Sequence, residues 1–65
     1  MSTATFQYVR DGEVLFEGFE QTDRTMQNYA DWKAARANPR YADHVHVWFG
    51  YRDDHGPEVT AEVPA

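Results

Sequence analysis

The chain has 65 residues, 11 Asp and Glu against 6 Lys and Arg, a formal net charge of -5, and no cysteine. A chain this short forms one domain and buries only about 60% of the surface it exposes when unfolded, which excludes a multi-step enzyme with separate cofactor and substrate domains. The missing thiols exclude disulfide staples, four-thiolate zinc sites, iron–sulfur clusters and cysteine nucleophiles together.

Phe, Val and Leu are few for a folded chain of this charge, a balance that otherwise marks disorder. The aromatics reverse that reading. Four Phe, four Tyr and two Trp can each bury about 150–250 Å², enough for a core the aliphatic residues cannot supply. Met1 to Phe6 has no basic region ahead of an apolar run, and no stretch approaches the roughly 20 apolar residues of a membrane span. The expectation is a cytoplasmic chain without a membrane partner, a single domain over residues 1–65 with 1–4 and 64–65 frayed.

From Thr5 the residues alternate through Phe6, Tyr8 and Arg10, meet Asp11-Gly12, and resume at Glu13. Asp-Gly between two alternating runs predicts a hairpin, because both central residues of a type I′ turn need positive φ. A two-residue loop then sets Arg10 against Glu13, Val9 against Val14, Tyr8 against Leu15, Gln7 against Phe16 and Phe6 against Glu17. In that register Ala4, Phe6, Tyr8, Leu15 and Phe19 share one face, and Val9, Val14 and Phe16 share the other.

Thr22 and Asp23 are natural N-caps for a helix from about Arg24 to Ala37. Its apolar stripe is Met26, Tyr29, Ala30, Lys33, Ala34 and Ala37, flanked by Trp32 and Arg36, and Asn38-Pro39 ends it. Asp43 to Arg52 alternates cleanly, Val45, Val47, Phe49 and Tyr51 against His44, His46, Trp48, Gly50 and Arg52, and reads as the central strand. Residues 53–57 read as a turn and Glu58 to Val63 as a short last strand. The fold class is α+β, a ββαββ chain whose antiparallel sheet carries one helix on one face. The expected core is Phe6, Tyr8, Leu15, Phe19, Met26, Tyr29, Ala30, Val45, Val47, Phe49 and Tyr51.

His44-x-His46, with His55 further on beside Asp53 and Asp54, is the one group with metal-ligand character, since residues two apart on a strand point the same way. His-x-His on a solvated strand face is common and no supporting partner is visible. The expectation is therefore no metal and no cofactor, with His44, His46 and His55 as the ligands should an ion be held. Acid–base catalysis by these histidines lacks a nucleophile, a phosphate loop or a catalytic motif beside it, so no catalytic residues and no enzyme are expected.

Resolved by segment, residues 1–32 carry two bases against six acids (-4), residues 33–52 four bases against one acid (+3), and residues 53–65 four acids alone (-4), which sum to -5. The basic segment holds Trp32, Arg36, Trp48 and Arg52 in or beside it, and these four are the expected partner-binding residues. Val9, Val14 and Phe16 are the expected self-association face. A core of this size rarely contributes more than about 3–5 kcal/mol of net stability, and oligomerisation is a standard remedy. The functional expectation is a small acidic, non-enzymatic protein–protein interaction module, an adaptor or inhibitor, that forms homo-oligomers. The alternatives are a module binding single-stranded nucleic acid on the His/Trp/Arg strand face and an acidic mimic of nucleic acid. Nucleic acid is the less favoured partner because acidic segments flank the basic one within about one Debye length, 8–10 Å.

Overall fold

Asp11 and Gly12 both adopt positive φ, 52° and 79°, the backbone of a type I′ turn. In a computed structural model that describes residues 1–65, this turn joins β1 (Ser2–Arg10) to β2 (Glu13–Thr22). The chain continues through α1 (Met26–Arg36), β3 (His44–Phe49), a single 3-10 turn at Arg52–Asp54 and β4 (Glu58–Glu62). The four strands form one antiparallel sheet in the order β2-β1-β3-β4, so the expected mixed α+β architecture holds. Residues 2–4, expected to fray, are the first residues of β1, and Ala4 is fully buried.

The hairpin register departs from that of a plain two-residue loop. Arg10 faces Glu13 and Val9 faces Val14, but a β-bulge then leaves Leu15 unpaired, so Tyr8 faces Phe16, Gln7 faces Glu17, Phe6 faces Gly18 and Thr5 faces Phe19. One extra residue moves everything after it to the other face. Phe16 joins Phe6 and Tyr8 on the helix side, with ring centroids 6.2 and 6.3 Å away, and Phe19 passes to the opposite side. Val9, Val14 and Phe16 therefore do not form one face, and Phe19, expected in the core, is 63% exposed.

Gly18 is what the Phe6 ring requires. A Cβ there would lie 2.7 Å from Phe6 Cζ, inside any real carbon–carbon contact, so the ring spreads across β2 only because its partner has no side chain.

The helix starts later than expected because β2 runs on through Thr22. Thr25, not Thr22 or Asp23, is the N-cap, its hydroxyl accepting from the Asn28 amide at 3.2 Å. Tyr29, Ala30 and Ala34 face inward and pack with Ala4, Phe6, Val45, Val47 and Ala61 in the core. The small alanines let α1 approach closely, and it lies over β3 and β4. Longer side chains reach beyond that half. Tyr29 donates to Glu20 on β2 at 2.5 Å, Lys33 donates to the same carboxylate oxygen at 2.9 Å, and the Lys33 ammonium sits 4.1 Å from the Phe6 ring centroid.

Gly18→Ala is expected to lower stability by about 1–3 kcal/mol, the usual cost of forcing a side chain into filled space. Urea unfolding checks this as a lower midpoint at unchanged slope. Shortening the ring in the double variant with Phe6→Leu should recover part of the loss.

Candidate functional site

The sheet face away from α1 presents Thr5, Gln7, Glu17 and Phe19 from the hairpin, His44, His46 and Trp48 from β3, and Glu58, Thr60 and Glu62 from β4, as the strand registers require. Gly50, at φ 115°, ends β3 and turns the chain back across this face. An L side chain there would be strained, and its Cβ would come within 3.0 Å of Asp54 Cβ. Thr5, buried between the strands, donates its hydroxyl to the Gly50 carbonyl at 2.5 Å and fixes where the return begins.

That return explains why Tyr51 is not in the core. It leaves the Val45, Val47 and Phe49 side and meets Phe19 edge-on on the other, at 5.4 Å between centroids and 53% exposed. Arg52 reaches Glu17 at 2.5 Å, beside the Gln7 amide that donates to the same carboxylate at 2.8 Å. Gln7 first and Arg52 second hold the Glu17 carboxyl below the usual range. Thr5, Glu17, Gly18, Phe19, Tyr51 and Arg52, with Asp53, line an open groove of about 510 Å³.

Further along, His55 stacks on Trp48 at 4.1 Å between ring centroids. The indole N–H donates to the Tyr51 carbonyl at 3.1 Å, and Trp48 is only 2% exposed. His46, His55 and Glu58 converge here. Their ligand atoms all lie within 4.8 Å of one another. His55 Nε2 contacts one Glu58 oxygen. His46 Nε2 approaches the other at 2.6 Å, but off the line a ring N–H needs, and this nitrogen is buried without a hydrogen-bond partner. Partial desolvation raises the Glu58 carboxyl, and the two imidazoles together outweigh it and hold the group below the usual range.

The expected partner-binding set is thus divided. Trp32 and Arg36 sit on α1, where the Arg24 and Arg36 guanidinium groups lie 4.7 and 5.0 Å from the Trp32 centroid. Trp48 and Arg52 lie across the sheet from them, Trp48 covered and Arg52 paired. The expected ligand set changes by one member. His44 turns to Asp43 at 2.8 Å and pairs across the sheet with Glu62, a strand step away from the cluster, and Glu58 takes its place. The sequence signal for Glu58 is its position three residues after His55, and for Phe19 and Tyr51 the two glycines, Gly18 and Gly50, beside them.

On the helix side, α1 leaves the turn end of the β1–β2 hairpin uncovered. Tyr8 meets Phe16 there, and Tyr41 closes on Tyr8 at 5.9 Å, with Phe16 52% exposed. Phe16 and Phe19 thus stand on opposite faces of one edge strand. The chain matches no protein-family model, no curated protein and no solved structure. No helix is long and apolar enough to cross a membrane.

Three carboxyls outside the histidine cluster are held low by local partners: Glu17 as above, Glu20 by the Tyr29 hydroxyl and then Lys33, and Asp43 by the Asp11 amide and then His44. Burial first, and then Glu20, push the Tyr29 phenol upward. A carboxyl lower in the folded than in the unfolded chain stabilises fully above its ordinary value, about 4.3 for Glu and about 3.9 for Asp, and that contribution fades as pH falls through the folded value. Stability is expected to drop below about pH 4.5, and Glu20→Gln should flatten that acid limb while lowering stability at neutral pH. Thermal unfolding between about pH 7 and pH 3 checks both.

Proposed function

We propose that this chain is a small non-enzymatic protein–protein interaction module that accepts a partner strand along the outer edge of β2, and that the partner is a second copy of the chain. The observation that carries the reading is β2 itself: a ten-residue edge strand with Phe16 and Phe19 half-exposed or more on its two faces. An unpaired edge of this length is a template for another strand, and folded proteins normally blunt it with outward charge. Here the charge is turned inward. Glu17 is engaged by Gln7 and Arg52, and Glu20 by Tyr29 and Lys33.

Two-fold antiparallel pairing of β2 with itself, centred on Gly18, sets Phe16 opposite Glu20 and Phe19 opposite Glu17. Between Val14 and Thr22 no two carboxylates stand directly opposite, and each aromatic ring is set over a partner carboxylate's aliphatic stem. Such an isologous contact closes on itself. It supplies, on both faces of the edge, apolar burial that a 65-residue core lacks. The same edge would serve an adaptor or inhibitor by β-strand addition to its target. The strand-face nucleic-acid reading is weakened because Trp48, its stacking platform, lies under His55. The mimic reading is weakened because two of the three β2 carboxylates, Glu17 and Glu20, are engaged within the chain.

Sedimentation equilibrium is expected to give a reversible dimer at concentrations up to about 1 mM, with Phe16→Asp and Phe19→Asp each weakening association at least about tenfold, or 1.4 kcal/mol. A mass of one chain throughout, or dimerisation indifferent to both substitutions, would count against the reading.

A further inference from the structure

The histidine cluster lies at the other edge of the sheet from β2, and nothing in the proposed association uses it. Its three side chains come from three places: His46 from the middle of β3, His55 from the connection after the 3-10 turn, and Glu58 from the first residue of β4. Every residue from Tyr51 to Glu58 is exposed. Within this connection the backbone makes one turn bond, Asp54 to Tyr51 at 2.9 Å, and His55 is fixed by its ring lying on Trp48.

Two imidazole nitrogens and a carboxylate converging on one point are a ligand set for a borderline divalent ion. Donor atoms around a four-coordinate zinc stand roughly 3.3 Å apart, from bonds of about 2.0–2.1 Å at tetrahedral angles. The three atoms here, all within 4.8 Å of one another, reach that spacing by small rotations of the exposed His55 and Glu58 side chains about the half-buried His46. The second observation is the buried His46 Nε2 without a hydrogen bond. A buried nitrogen without a well-directed hydrogen bond is costly, and Glu58 Oε1 lies 2.6 Å from it, off the line of a ring N–H. Charge favours a cation as well, since residues 53–65 carry four acids and no Lys or Arg.

We propose that His46, His55 and Glu58 bind a divalent first-row transition metal ion, zinc fitting the donor set, with water in the remaining position. The ion ties the exposed β3–β4 connection to the sheet. Trp48 is a positioning residue: it touches no metal, and it holds the His55 ring over the site. His44, engaged by Asp43, is not a ligand.

The test is calorimetric titration of zinc chloride into the untagged full chain at neutral pH, with thermal unfolding followed in parallel. The expected result is saturable binding of one ion per chain and an unfolding temperature that rises with zinc. His46→Ala, His55→Ala and Glu58→Gln should each weaken binding at least about tenfold, and His44→Ala should leave it within about twofold. If His46→Ala does not fold, His55→Ala and Glu58→Gln carry the test, since both residues lie in or next to the exposed connection. Cobalt(II) in place of zinc gives an independent readout, a visible absorption band that His55→Ala removes. Absence of saturable heat and of any thermal shift would overturn the proposal, as would binding that survives all three ligand substitutions or is lost with His44→Ala.

Discussion

One helix cannot cover four strands. At about 4.8 Å between neighbours the strand axes span about 14 Å, and a helix with its side chains is about 10 Å across. The chain resolves the mismatch by placing α1 over β3 and β4, where Ala30 and Ala34 allow close approach to Val45, Val47 and Ala61. Tyr29 and Lys33 extend its reach to Glu20. What lies beyond that reach is aromatic, Tyr8, Phe16 and Tyr41, and it borders the longest unpaired strand edge in the molecule. The association proposed along β2 follows from this geometry.

The opposite face is managed by a different device. There is no second helix, and the return at Gly50 brings Tyr51, Arg52 and His55 back over it. This segment covers Trp48, pairs Glu17 and completes the group of His46, His55 and Glu58. The same arrangement redistributes charge. Lys33 and Arg52, from the basic middle of the sequence, pair with Glu20 and Glu17, two of the three acids of β2. The edge is thereby left with less net repulsion than its sequence suggests, and the C-terminal acids remain without basic neighbours of their own segment.

Much of the fold was legible in the residues because local signals agreed with one another. Asp11-Gly12 fixed the turn and the first two pairs of the hairpin, Asn38-Pro39 marked the end of α1, and strict alternation separated Val45 and Val47 from His44, His46 and Trp48. The aromatic rings that lie on the unexpected face share one origin, a single-residue change of phase. The bulge at Leu15 exchanged the faces of Phe16 and Phe19, and Gly50 moved Tyr51 from the core side to the other. Each change sits beside a glycine or within the apolar run Val14-Leu15-Phe16, where alternation carries no information about which residue is skipped. The division of Trp32 and Arg36 from Trp48 and Arg52, and the replacement of His44 by Glu58 in the histidine cluster, depend on chain return and strand pairing. No local pattern encodes either.

Amide hydrogen exchange along the chain as a function of protein concentration shows whether β2 is the edge that another strand occupies. The outward-facing amides of β2 around Gly18 should gain protection as concentration rises, while those of the other edge strand, β4, stay unchanged. Exchange at β2 that is independent of concentration, or protection that builds at β4 instead, would rule out pairing along β2.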